Sequence, residues 1–241
     1  MNKCTLVCNS NGTLFNDILK EYASQFESRY AEMKAVEGSK DQEGLNERYA
    51  RLKKEGPKDE FKKHLRTYHQ IQDELMTEME MRKQPGLDDF LMYSKEEGMS
   101  VKIFANASPE YIDHVLEETR TKDQIDGVYT SLDENLGSRD GLAIDKNADT
   151  LGQIASENTN TLAYVSHKPK EAELGAAVYG IGVLITEDID GPWELHQSEE
   201  SNGFIVKVKD LSQVVNLVIA TRDYLPEYQT WKMESQKWKK V

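Results

Sequence analysis

The sequence predicts an α/β protein: a doubly wound parallel sheet with an all-helical segment inserted after its first strand. Three observations carry that expectation. Short apolar runs alternate with amphipathic stretches from residue 87 to residue 222, the pattern of strands and helices packed in layers. The apolar run Cys4-Thr5-Leu6-Val7-Cys8 leads into the glycine-bearing loop Asn9-Ser10-Asn11-Gly12-Thr13-Leu14, which reads as a buried strand turning into a helix at the carboxyl edge of a sheet. Between that loop and the alternating part lies a charged stretch of roughly 65 to 70 residues with helical period. At 241 residues the chain can bury one good core and hold a second, smaller subdomain. The expected division is a core of 1–14 and 84–225, a helical insertion of 15–83, and a tail of 226–241.

Within the insertion, Phe15, Ile18, Leu19, Tyr22, Phe26, Tyr30 and Met33 mark one face of a long first helix. Gly38-Ser39 and the region of Gly44 break it. A second helix over 45–54 stops at Gly56-Pro57, and a third runs from about Asp59 through Leu65, Tyr68, Ile71, Leu75 and Met79. After Gln84-Pro85-Gly86 the expected order is a helix over 87–97, a strand over 101–104, a helix over 109–119 and a strand over 125–130. A helix over 148–157, a strand over 161–165, a helix over 169–179 and a strand over 181–185 follow. The series closes with a strand over 204–208 and a helix over 211–222.

Composition narrows the function classes. A formal charge of -13 and a pI near 4.9 speak against nonspecific binding to nucleic acid or anionic membrane. No stretch approaches 18 apolar residues, and Met1-Asn2-Lys3 leads straight into the first strand, so neither a membrane span nor a signal peptide is expected. Cys4 and Cys8 face the same way on one extended strand, too far apart to bond each other. A reduced, cytoplasmic setting is the expectation. His64, His69, His114 and His196 show no metal-ligand spacing with one another or with the cysteines.

The segment Asn9-Ser10-Asn11-Gly12-Thr13-Leu14 resembles the first motif of the haloacid dehalogenase superfamily, in which an apolar strand ends in Asp-x-Asp-Gly-Thr-Leu. The family uses the first aspartate as nucleophile on phosphorus and the second as general acid and base. Here both are asparagines. The second motif is resembled by the strand that ends at Ala105-Asn106, where Ala105 takes the place of the hydroxyl that normally bonds the phosphoryl group, leaving Asn106 and Ser108 as nearby donors. Asp145-Lys146-Asn147-Ala148-Asp149 resembles the third motif, with Lys146 as the candidate lysine and Arg139 as runner-up. The fourth, Gly-Asp-x-x-x-Asp, supplies Mg²⁺ ligands in the family; Ser166-His167-Lys168-Pro169-Lys170-Glu171 fits its surroundings, with His167 and Glu171 at the acidic positions.

These substitutions set Glu171 against Lys146 and Lys168, about +1 without a metal. A catalytically inactive member with a helical cap is therefore expected, in a regulatory or scaffolding role, with no metal and no cofactor. It would bind a phosphorylated or anionic ligand through Asn9, Ser10, Asn11, Gly12, Thr13, Asn106, Lys146 and Lys168, assisted by loop N–H groups and the helix that Pro169 opens. A protein partner is the other expected ligand, taken up by the cap or by the aromatic and basic tail of Tyr224, Tyr228, Trp231 and Trp238. The alternative from a different class is a Mg²⁺-dependent hydrolase, either with altered chemistry or carrying Asp-to-Asn exchanges that trap substrate. Engineering would account for Asn9 and Asn11 and leave Ala105 and His167 unexplained.

Overall fold

The computed structural model describes residues 4–39, 41–130, 148–157 and 161–223. A seven-stranded sheet forms the centre: β1 (Thr5–Cys8), β2 (Ser100–Ala105), β3 (Gly127–Thr130), β4 (Thr161–Ser166), β5 (Ile181–Ile185), β6 (Trp193–Gln197) and β7 (Phe204–Val208). Their order across the sheet is β3-β2-β1-β4-β5-β7-β6. Every pairing is parallel except that of β6 with β7. The chain moves outward from β1 through β2 to β3, then returns to the other side of β1 with β4. The winding direction thus reverses between β1 and β4, which opens a crevice beyond their carboxyl ends.

Alternate residues of β1 show why both faces are covered. Leu6 and Cys8 join one apolar cluster with Phe90 of α5 (Leu87–Glu96), Tyr111 and Val115 of α6 (Pro109–Glu118), and Val214 and Val218 of a final helix over 214–223. Val7, between them, packs on the opposite face with Phe104, Tyr164, Leu151 and Ile154. That face is closed by α7 (Ala148–Glu157) and α8 (Pro169–Tyr179). A strand buried on both sides reads as a continuous apolar run, as Thr5 to Cys8 does.

Gly182 shows how closely the second layer sits. A Cβ there would lie 1.8 Å from the Ala172 carbonyl oxygen of α8, so any side chain must push the helix off β5. Gly182→Ala is expected to cost about 1–3 kcal/mol and to lower Tm by about 2–12 °C for a domain of this size. A thermal melt of the variant matching wild type would show that α8 is free to shift.

Between β1 and α5 come α1 (Ile18–Glu21), α2 (Ala23–Val36), α3 (Leu45–Glu55) and α4 (Lys58–Leu75), the helical insertion. Its apolar interior, including Phe26, Leu45, Ile71 and Leu75, is continuous with that of the core. The two connecting segments are tied together. Phe15 and Lys83 form an antiparallel bridge, and Asn16 exchanges hydrogen bonds with Arg82, main-chain N–H to carbonyl at 2.9 Å and Arg82 N–H to Oδ1 at 2.9 Å.

Two expectations need correction. The first helix does not run from Leu14; residues 11–15 are held in the loop and bridge, the helix starts at Ile18, and it breaks at Tyr22 (φ -110°, ψ 18°) before α2. Helical period at Phe15 reflects burial under the connecting segments instead. β6 was not foreseen, and it makes the sheet mixed at one edge. The residues Tyr224, Tyr228, Trp231 and Trp238 near the carboxyl terminus, and the candidates Lys146 and Arg139, lie outside the described residues.

Candidate functional site

The residues that follow β1, β2 and β4 come together because these three strands are adjacent and parallel. Asn9, Ser10 and Asn11 follow β1, Asn106 follows β2, and His167 and Lys168 follow β4. All six line one cleft of about 490 Å³. Its remaining walls come from the insertion: Asp17 and Lys20 near the connection, Asn46 and Tyr49 of α3, and Leu65, Tyr68 and His69 of α4.

Asn9 extends the sheet, its N–H donating to the Val165 carbonyl at 2.9 Å, and only 4% of it is exposed. Its Nδ2 donates to Glu171 Oε2 at 3.1 Å. The same oxygen accepts from Ser166 Oγ at 2.8 Å and from Tyr164 OH at 3.3 Å. Glu171 sits in the first turn of α8, where a carboxylate is favoured by the helix dipole. Its other oxygen lies 3.7 Å from Lys168 Nζ. Glu171 is thus placed behind Asn9 as an acceptor of three donors, with its side chain 16% exposed. Burial pushes the Tyr164 hydroxyl well above its ordinary pKa, and the Glu171 charge adds to that. Tyr164 stays a donor.

A second set of contacts closes the glycine loop. The His167 main-chain N–H donates to Thr13 Oγ1 at 3.0 Å, and the Thr13 hydroxyl lies 3.0 Å from His167 Nδ1. With the hydroxyl donating to Nδ1, the threonine uses both capacities, so the network assigns the remaining proton of a neutral ring to Nε2. The imidazole lies directly over Gly12, where a Cβ would come within 2.7 Å of it. Gly12 also has φ +73°, a left-handed conformation that suits glycine. The Gly12 N–H donates to the Phe15 carbonyl at 2.8 Å and the Thr13 N–H to the Ser10 carbonyl at 3.2 Å. Of the loop N–H groups of Ser10, Asn11, Gly12 and Thr13 expected to face an anion, the last two are therefore spent inside the loop. Ser10 and Asn11, like Asn9, line the cleft.

Three other expected positions stand apart from the cleft walls. Ala105 is fully buried. Thr13 is buried beneath His167. Ser108 caps α6, accepting from the Tyr111 N–H at 3.1 Å, and its hydroxyl reaches Asp73 of α4 at 2.5 Å. It joins the core to the insertion and is not a cleft donor. Cys8 is buried, and burial raises its thiol pKa so far that no thiolate forms at neutral pH. Among the described residues, no three His, Cys, Asp or Glu side chains are grouped to hold a metal ion.

The sequence reading missed Ser166 and Tyr164, which anchor Glu171, and the whole wall from the insertion. Asn46, Tyr49, Tyr68 and His69 sit on helices whose apolar periodicity was visible. Which side of those helices meets the cleft depends on how they pack against the core, and no local pattern encodes that.

No family model and no curated protein matches the chain. Solved structures do. A haloacid dehalogenase-like family hydrolase from Xanthomonas campestris superposes with a TM-score of 0.58 at 11% identity, covering 94% of this chain and 95% of the other. A putative phosphoglycolate phosphatase from Lactobacillus plantarum gives 0.58 at 12%, covering 90% and 100%. CbbY from Rhodobacter sphaeroides, in complex with phosphate, gives 0.55 at 13%, covering 87% and 95%. A CbbY mutant with Asn in place of Asp, in complex with xylulose 1,5-bisphosphate, gives 0.55 at 14%, covering 87% and 95%. The chain therefore has the fold of the haloacid dehalogenase-like hydrolases, a Rossmann-like parallel core carrying a helical insertion.

Proposed function

We propose that this protein is a noncatalytic member of that fold which binds a phosphorylated or otherwise anionic small ligand in the cleft, as a regulatory or scaffolding component. The observation that carries the reading is the hydrogen bond from the Asn9 amide to Glu171. Where an active relative needs a carboxylate nucleophile, this chain places an amide that acts as a donor toward a carboxylate behind it. An amide does not attack phosphorus, and loss of one member of a cooperating catalytic set commonly costs on the order of 10⁴ to 10⁶ in rate.

The residues present do not fit Mg²⁺. That ion asks for a near-octahedral set of hard oxygen ligands. Among the described residues, Glu171 is the one carboxylate at the positions aligned with the acids of the first and fourth motifs, it already accepts from three donors, and Lys168 stands 3.7 Å away. The acids' work of balancing charge is taken over by hydrogen bonds, and no metal is needed to hold the site together.

Anion binding draws on the cleft's own charges. Lys20 and Lys168 line the cleft with Asp17, Lys168 is shared with Glu171 behind Asn9 at 3.7 Å, and α8 opens at Pro169 with its N-terminus at the cleft. The CbbY structures add support by analogy, since that protein holds phosphate and, as an Asp-to-Asn mutant, a sugar bisphosphate.

Two measurements test the proposal together. Hydrolysis of p-nitrophenyl phosphate should be absent with and without Mg²⁺. Inorganic phosphate at millimolar concentration should raise Tm equally with and without chelator, and less so in Lys168→Ala. Mg²⁺-dependent turnover that persists through repurification and vanishes in Asn9→Ala would overturn the noncatalytic reading in favour of a working hydrolase.

A further inference from the structure

The cleft is far larger than an inorganic anion requires. Its volume of about 490 Å³ falls in the range of roughly 300–1,000 Å³ that accommodates organic ligands of drug size. The core side is polar, with Ser10, Asn11, Asn106 and Lys168; the insertion side carries the carbon-rich Tyr49, Leu65 and Tyr68 beside Asp17, Lys20, Asn46 and His69. The rings of Tyr49 and Tyr68 stand 6.2 Å apart, tilted by 46°, and Tyr68 is backed in turn by Phe26 at 5.6 Å. This is a stiff aromatic wall opposite a cationic, amide-rich floor.

His69 stands at the same wall. It lines the cleft, is 96% removed from solvent, and among the described residues neither ring nitrogen has a hydrogen-bond partner. Buried polar groups are nearly always paired. Both nitrogens are closed to solvent with the cleft open, so what His69 offers a ligand in the cleft is the carbon surface of its ring. The polar side chains on the insertion side, Asp17, Lys20, Asn46 and His69, leave its carbon-rich surface to Tyr49, Leu65 and Tyr68.

We infer that the cleft takes a phosphomonoester with a planar aromatic or heteroaromatic body, the phosphate on the core side and the ring against Tyr49 and Tyr68. This rests on the anion-binding reading above and sharpens it to a ligand class. Faces of aromatic rings pack on tyrosine in offset or tilted arrangements, which the inclination of the two wall rings permits.

The test is calorimetric titration of the full-length protein in chelator with four probes: inorganic phosphate, ribose 5-phosphate, phenyl phosphate and adenosine 5′-monophosphate. One of the two aromatic probes is expected to bind at least about tenfold more tightly than ribose 5-phosphate, in line with the usual gain from stacking on a tyrosine. Tighter binding of phenyl phosphate would mark a simple aryl body, and of the nucleotide a heteroaromatic base. Tyr49→Leu keeps apolar bulk and removes the ring; it should cut the ratio of aromatic to ribose phosphate affinity by about tenfold, and Tyr49→Ala gives the same readout should Leu pack poorly. Equal affinities for ribose 5-phosphate and both aromatic probes, with phosphate still bound, would overturn the ligand class and leave the anion site standing. Failure of all four probes to bind would overturn both.

Discussion

Acidification from pH 6.5 to pH 4 is expected to remove about 3 kcal/mol of stability through one side chain, His69. Burial pushes its pKa down to about 4, against about 6.5 in an unfolded chain. As pH falls the unfolded chain takes up the proton first, so the contribution is complete above pH 6.5, shrinks between 6.5 and 4, and is lost below. A pKa difference of about 2.5 corresponds to about 3 kcal/mol. His64 works in the same direction, since burial lowers its pKa while its contact with the Leu45 carbonyl opposes the shift. Asp73, one turn beyond His69, works against it: burial raises its carboxyl pKa, partly offset by the Ser108 hydrogen bond. The variant His69→Leu isolates the effect. It should be at least as stable as wild type at pH 7, because two unpaired buried nitrogens disappear, and its stability should be flatter between pH 6.5 and 4. Urea unfolding at several pH values decides it, and identical slopes for the two proteins would mean that His69 is solvated in the native state.

How far the sequence could reach is clearest from three places. The alternation from Leu87 onward fixed the helices and parallel strands almost to the residue, because strands buried on both faces leave continuous apolar runs that charged helix faces interrupt. Trp193-Glu194-Leu195-His196-Gln197 escaped notice although it alternates like a strand. It lies at the sheet edge with both its apolar side chains nearly half exposed, so the usual sign of burial is missing. In the cleft, Asn9, Ser10, Asn11, Asn106, His167 and Lys168 were legible because each lies within three residues of the end of a strand, and parallel neighbours bring such positions together. His69 was legible only as one histidine on an amphipathic helix. Its depth, its missing partners and its place beside Tyr68 follow from how α4 meets α6 and the connecting segments. Similarly, Glu171 stood out through its resemblance to the second acid of the fourth motif, while its role as acceptor for Asn9, Ser166 and Tyr164 is a matter of three-dimensional aim.

Asn9→Asp should destabilise the protein by about 3 kcal/mol at pH 7 and be close to neutral at pH 4. The exchange turns the donor 3.1 Å from Glu171 Oε2 into a second carboxylate oxygen, at a position almost closed to water. Two such charges at that distance repel by about 5 kcal/mol even at an effective dielectric of 20. The pair relieves this by holding one proton between them, which the unfolded chain releases above about pH 4. The folded state then has the higher proton affinity, so stability is retained in acid and lost as pH rises. Adding Glu171→Gln to Asn9→Asp restores an amide facing a carboxylate and should recover most of the loss. Adding Asn11→Asp instead should yield no efficient phosphatase, because the metal would still meet His167 in place of an acid and Lys168 beside Glu171. Unfolding curves of these variants at pH 4 and pH 7, with and without millimolar Mg²⁺, bear directly on the metal-free reading. Recovery of both stability and turnover by Mg²⁺ in the Asn9→Asp, Asn11→Asp protein would mean that the carboxylates and His167 make a competent metal site after all, and that the two asparagines alone silence an otherwise intact enzyme.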